Sequence, residues 1–301
     1  MCGLASAIGV TTRGFTQEAA GAPQQRPRPC HRCVTRVQCV DAAPAKRPGR
    51  EAAAHGIECQ TRANIDGGRH MAEDEQKTSG KTPIAVFDYD GTIIDGQSGS
   101  LFGTYLLSHG LISIRTGLRL VWWGARYKLH LPYRQDEARE LIFRDLARLE
   151  RSETLRIMCD FHDEVLKPLY RADAMAEVRK RHDEGLVTLL VSATFYEIAH
   201  VAAAYLGMDG VAATHMELDA NDRFTGRVEG EVVAGPGKVH ATRAWADENL
   251  GAGTWRIACA YGDHFTDEPL LEQADEPFAV CPGATLARMA KRRKWPVLGW
   301  N

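Results

Sequence analysis

Ile84-Ala85-Val86-Phe87-Asp88-Tyr89-Asp90-Gly91-Thr92 is an apolar run that ends abruptly in two carboxylates and a turn. Four apolar residues in succession, with no polar alternation, read as a strand buried on both faces, as in a parallel sheet. Asp and Gly by themselves favour turns. Two acids at the end of a buried strand are costly without a partner, so their placement points to chemistry.

The same pattern recurs downstream. Leu186 to Val191 is a second buried run and ends in Ser192-Ala193-Thr194, with a helix expected from Phe195 to Leu206. Arg256 to Ala260 is a third and ends in Tyr261-Gly262-Asp263, and Phe278-Ala279-Val280 is a fourth, followed by a helix from Thr285 to Arg293. Residues 211–233 read as short strands with a turn at Asp219-Ala220-Asn221-Asp222, and Lys238 to Leu250 reads as a helix. Strands alternating with helices imply an α/β fold, a Rossmann-like three-layer arrangement in which helices cover both faces of a parallel sheet. Between the first two strands, residues 98–182 are helix-like throughout, too long for a simple crossover. Within them Asp136 to Glu150 is amphipathic, with Leu141, Ile142, Leu146 and Leu149 on one side, and Arg151–Val165 and Ala172–His182 read as further helices. This stretch is expected to be an inserted α-helical cap, with 81–97 and 183–301 forming the catalytic core.

Residues 1–80 differ in kind. They are rich in Ala, Arg, Gly, Pro and Gln, have Phe15 as their only aromatic residue, and show no sustained period. Such a segment buries too little apolar surface to offset its ordering entropy, so disorder is expected. Met71, followed by a polar leader and then the first strand, is a candidate natural start. Cys30 and Cys33 have the two-residue gap of a zinc knuckle or redox pair, but no second such pair follows, and free thiols are the plainer reading.

Bulk properties narrow the partners. The chain has 301 residues and a formal net charge of −2, which gives no electrostatic case for nucleic acid. The first 80 residues carry 11 Lys/Arg against 8 Asp/Glu, so the remainder is net acidic and an anionic substrate needs a local positive site. No run reaches the roughly 18 apolar residues of a membrane span; Arg115, Arg119, Arg126 and Lys128 interrupt Leu101–Leu131. The expected setting is cytoplasmic, and the sequence does not fix an oligomeric state. Trp122-Trp123 fits a cap-core pair, a substrate wall or a membrane-facing patch; the core pair is the plain expectation. The basic run from Lys291 to Lys294 reads as a helix end favoured by the macrodipole.

Ligands of open α/β sheets bind beyond the carboxyl ends of the strands. Asp88, Asp90, Ser192 and Asp263 all fall there, and Lys238 starts the helix between the second and third strands. A carboxylate can attack phosphorus when the phosphate is neutralised, for which Mg²⁺ and a lysine are suited. Asp90, two residues from Asp88, can then protonate the leaving oxygen and later activate water.

Together Phe87-Asp88-Tyr89-Asp90-Gly91-Thr92, Val191-Ser192-Ala193-Thr194, Gly237-Lys238 and Tyr261-Gly262-Asp263-His264-Phe265-Thr266-Asp267-Glu268-Pro269-Leu270 resemble the haloacid dehalogenase superfamily, in its phosphoserine-phosphatase-like branch (subfamily IB) with a helical cap. The resemblance covers about residues 83–301. It implies an Mg²⁺-dependent phosphomonoester hydrolase working through an aspartyl-phosphate on a small phosphorylated metabolite. Asp88 would be nucleophile and metal ligand, and Asp90 the acid/base with its carbonyl on the metal. Ser192 and Lys238 would bind phosphate, Asp263 would bind Mg²⁺, and Asp267 would be its acidic partner, orienting the metal shell or Lys238. Relatives often carry Ser where this chain has His264, an imidazole that either meets the metal shell or is a tolerated surface change. The phosphoserine enzymes of the branch carry a Glu soon after the first motif; here none occurs between Asp90 and Glu137, and Gln97 stands nearby. Phosphoserine itself is therefore one alternative, and a non-enzymatic phospho-receiver is another, disfavoured by the long helical insertion. A dehalogenase of the same superfamily would not need Asp90 or the metal carboxylates.

Overall fold

The computed structural model describes residues 80–301 except His130, Tyr133 and Gln135. The expectations for residues 1–79, including Cys30, Cys33 and the Met71 start, lie outside the described residues.

Strand β1 (Thr82–Asp88) is the hub. It pairs in parallel with β2 (Val187–Phe195) on one side and β6 (Trp255–Gly262) on the other. With β3 (Gly210–Thr214), β7 (Glu276–Val280) and the short β8 (Val297–Leu298), these form a parallel sheet in the order β3-β2-β1-β6-β7-β8. Strand β1 shows why its apolar run is continuous. Ala85 and Phe87 enter one hydrophobic cluster and Ile84 and Val86 another, as the period of two requires for a strand covered on both faces.

The first cluster joins the sheet to helices that follow β1 and β2. Helices α1 (Ser98–Ser108), α2 (Ile114–Lys128), α3 (Glu137–Leu146), α4 (Arg151–Phe161) and α5 (Ala172–Asp183) all lie between these two strands. Phe102 and Phe143 from this insertion pack with Phe195, which ends β2, and Phe161 packs on Phe102. Helix α4 passes into a π-turn (His162–Leu166), so the expected helix to Val165 widens in its last turn. The second cluster is closed by α7 (Pro236–Leu250), α8 (Glu268–Leu271) and α9 (Ala284–Arg293), and α6 (Tyr196–Leu206) belongs to the first.

Residues 211–233 divide between two sheets. Their first strand, β3, joins the main sheet, while β4 (Met216–Leu218) and β5 (Phe224–Val228) form an antiparallel hairpin across the turn at Asp219–Asp222. The hairpin lies against α3: an added Cβ on Gly226 would sit 3.2 Å from the Arg144 Cα. The basic residues Lys291, Arg292 and Arg293 occupy the last turn of α9, as the macrodipole favours. The expectation of a cap-core Trp122-Trp123 pair is corrected for one member. Trp122 is 59% exposed, whereas Trp123 is partly covered and its indole N–H donates to the Arg134 carbonyl. Adjacent helical residues lie about 100° apart, and here that turn leaves Trp122 on the open side and Trp123 partly covered.

Candidate active site

The strand register brings the three polar strand ends together. Asp88 pairs with Val191 across β1 and β2, and Phe87 pairs with Tyr261 across β1 and β6. Asp88, Ser192 and Asp263 therefore lie side by side at the carboxyl edge of three neighbouring strands.

Asp88 falls on the same face as Ile84 and Val86, the side covered by α7. Lys238, in the first turn of that helix, reaches it there. Its Nζ lies 2.7 Å from Asp88 Oδ1 and 2.6 Å from Asp267 Oδ1, and all three side chains are buried. Asp88 Oδ1 also accepts the Tyr89 amide at 2.8 Å. The second oxygen of Asp267 accepts the His264 amide at 3.1 Å, so both Asp267 oxygens are engaged by the protein. His264 itself is half-buried, and its Nδ1 lies 2.9 Å from Thr266 Oγ1. Burial lowers its pKa, which keeps the imidazole neutral around pH 7.

Asp90 is held from the insertion. Its Oδ1 accepts the Ser98 amide at 2.6 Å, at the start of α1, and Ser98 Oγ lies 3.0 Å from Oδ2. Ser98 Oγ is also 2.8 Å from Thr194 Oγ1, and the Thr194 amide donates to Ser192 Oγ at 3.1 Å. Ser192 thus reaches the site by register and through this chain of bonds. A shift in the pairing of β2 with β3 between Ser192 and Phe195 accompanies the bend of its backbone here.

Two glycines make room for the acids. Gly91 has φ +78°, and a Cβ there would lie 2.2 Å from Asp263 Oδ2. A Cβ on Gly262 would lie 2.8 Å from that of Asp267. These contacts require glycine, whatever the wider fold.

Charge at the site is out of balance. Burial raises the pKa of Asp88 well above the usual carboxylate range, against the pull of Lys238. Burial, then the neighbouring Asp267, pushes Asp263 up to about 7. Burial also raises Asp90, opposed first by the Ser98 amide. One carboxylate oxygen from each of Asp88, Asp263 and Asp267 lies within 4.8 Å of the others. An oxygen-only donor set, buried at Asp88 and Asp267 and half-buried at Asp263, with surplus negative charge fits a hard divalent cation such as Mg²⁺. Asp267 is the weakest member of that set as a ligand, because Lys238 and the His264 amide occupy it.

Two neighbours escaped the sequence reading. Ser98 carries no mark beyond opening a helix. Arg139, from α3, is half-buried and donates to the Ala193 carbonyl through Nε at 2.9 Å and Nη2 at 2.5 Å. Burial lowers its guanidinium to about 10, while Asp90 and Asp136 pull it back up, so it stays cationic at neutral pH.

The profile of haloacid dehalogenase-like hydrolases matches residues 85–272. The chain is 28% identical over 261 residues to phosphoserine phosphatase SerB1 of Mycobacterium tuberculosis, covering 85% of this chain and 82% of that one. It is 26% identical to a histidinol-phosphatase of Neisseria meningitidis, covering 72% of this chain and 99% of the relative. A Bordetella pertussis protein of unknown function superposes with a TM-score of 0.66 at 27% identity, over 73% of this chain and 99% of its own. With strand-end acids in register and a matching profile over most of the described residues, the chain belongs to the haloacid dehalogenase-like hydrolase family.

Proposed function

We propose that the protein is an Mg²⁺-dependent phosphatase that hydrolyses small phosphomonoesters through an aspartyl-phosphate on Asp88. The observation that carries this is the Lys238 ammonium seated between Asp88 and Asp267, beside Asp263. Lys238 and the Tyr89 amide occupy Asp88 Oδ1, which leaves Oδ2 to attack. An Oδ2–P bond forms as the ester P–O bond breaks, and Asp90 in its acid form gives its proton to the departing alkoxide. Asp90 then takes a proton from water as that water attacks phosphorus, releasing inorganic phosphate and restoring Asp88. Asp88, Asp263 and the Asp90 carbonyl would hold Mg²⁺, whose positive charge would offset the phosphate dianion. Ser192 Oγ and Lys238 Nζ stabilise the phosphoryl oxygens.

The helical insertion supplies the lid, since its Ser98 already touches Asp90 and its Arg139 reaches the end of β2. Arg139 adds a cation on the substrate side. Relatives of similar identity are named for phosphoserine and for histidinol phosphate, and both are phosphorylated primary alcohols. That class is the substrate proposed here, in a cytoplasmic setting. Phosphoserine itself lacks the usual supporting Glu, with Gln97 in its vicinity.

Hydrolysis of para-nitrophenyl phosphate tests the reading. Turnover should require Mg²⁺, stop with a chelator and fall at least about 10³-fold in Asp88→Asn. Undiminished turnover by Asp88→Asn would overturn the proposal.

A further inference from the structure

Helix α2 buries one side and leaves the other bare. Thr116 and Gly117 are buried, the Thr116 hydroxyl donates to Asp145 Oδ2 at 2.7 Å, and Gly117 fits against Leu107. On the opposite side Ile114, Leu118, Val121 and Trp122 are 75%, 66%, 70% and 59% exposed. At 3.6 residues per turn these four share an arc of about 100°. Leu129 and Leu131 continue the exposed apolar surface just past the helix. Seven of the ten exposed large hydrophobic residues among the described ones fall between Leu107 and Leu131. Apolar surface concentrated in this way marks an interaction site.

The chemistry of the rim selects the partner. Helix α2 contains Arg115, Arg119, Arg126 and Lys128 and no acidic residue. Arg115 and Arg119 are exposed beside the apolar arc. Arg119 and Trp122 also line a cleft of about 670 Å³ with Arg126, Arg134 and Arg144, in which Glu137 pairs with Arg126 and Glu140 with Arg134. Arg119 and Arg144 make no ion pair among the described residues. A second copy docking face to face would bring together two helices that each carry basic residues and no acidic one. The first 80 residues carry net positive charge and match the face no better. An anionic lipid surface complements both the arginines and the apolar arc, and an indole such as that of Trp122 is suited to the headgroup level.

We propose that the exposed face of α2 docks the protein on anionic phospholipid bilayers, with Ile114, Leu118, Val121 and Trp122 at the headgroup–acyl boundary. The helix lies on the membrane; no helix among the described residues is long and apolar enough to cross one. This docking does not depend on the chemistry at Asp88.

Co-sedimentation of the full chain with vesicles tests it. Vesicles of phosphatidylglycerol and phosphatidylcholine should bind the protein, vesicles of phosphatidylcholine alone much less, and high salt should release it. The pair Leu118→Glu and Trp122→Glu, and separately the pair Arg115→Glu and Arg119→Glu, should each weaken binding by about tenfold or more. Hydrolysis of para-nitrophenyl phosphate and the melting temperature report folding in each variant. If the first pair misfolds, the arginine pair decides the matter. Failure to bind the anionic vesicles, or binding undiminished in the folded variants, would overturn the proposal. So would a dimer in sedimentation equilibrium that the same substitutions dissociate, because the face would then be a self-association surface.

Discussion

Lys238 Nζ lies 2.7 Å from Asp88 Oδ1 with both side chains buried, so the proposed nucleophile and its counter-ion are desolvated together. A buried pair is costly to form, and removing one partner costs more, because the other charge is left uncompensated. Lys238→Met should destabilise the fold by about 3 kcal/mol near pH 8. The sign with pH follows from Asp88. Burial already raises its folded pKa, and losing the lysine raises it further. A folded state that binds the extra proton gains relative stability as pH falls. The deficit of Lys238→Met should therefore shrink on acidification, in urea melts across a pH series. A pH-independent deficit would mean that Lys238 acts through packing alone.

Gly91 connects the first motif to the last. A Cβ at Gly91 would collide with the Asp263 carboxylate, and the backbone there has φ +78°. Gly91→Ala should cost about 1–3 kcal/mol in stability and displace Asp263. The distinguishing readout is a magnesium titration of phosphatase activity. Half-saturation should move to higher Mg²⁺ concentration by about tenfold or more, a size typical of disturbed metal shells.

The fold was legible where burial leaves an unambiguous trace. Parallel strands covered on both faces must be continuously apolar, so β1, β2 and β6 stand out, and their polar ends mark the ligand edge. Strand β8 has only two residues, too few to show a period. Ser98 and Arg139 were missed because tertiary packing alone carries them to Asp90 and Ala193 from helices of ordinary composition. Trp122 was misplaced for a related reason. The periodicity of α2 reveals an apolar face but not which way that face turns.

Ser98 is a positioning residue for Asp90. Its amide and hydroxyl both stabilise the ionised carboxylate, opposing the burial that raises the Asp90 pKa. Ser98→Ala removes only the hydroxyl. The Asp90 pKa should rise, and the limb of the pH–rate profile that Asp90 sets should move to higher pH. The maximal rate should fall by about tenfold, since the hydroxyl also ties Asp90 to Thr194. Ser98→Thr, which restores a hydroxyl, should recover much of both effects. A lower rate with an unmoved profile would assign Ser98 to packing alone.

Glu197, at the start of α6, offers a stability test away from the strand-end aspartates. It is buried, its Oε2 has no hydrogen-bond partner among the described residues, and burial raises its pKa to about 6. The folded protein therefore holds this proton more tightly than the unfolded chain, whose Glu titrates near ~4.3. Between these values the folded state binds more protons, so stability falls as pH rises through the window. The full penalty, on the order of 2 kcal/mol, is present above about pH 6. Glu197→Met keeps the length of the side chain and removes the charge. It should be more stable than the parent by up to about 2 kcal/mol at pH 7.5, with the gain fading towards pH 4. Chemical denaturation at both pH values checks this. An equal gain at both would trace the effect to packing and not to the buried charge.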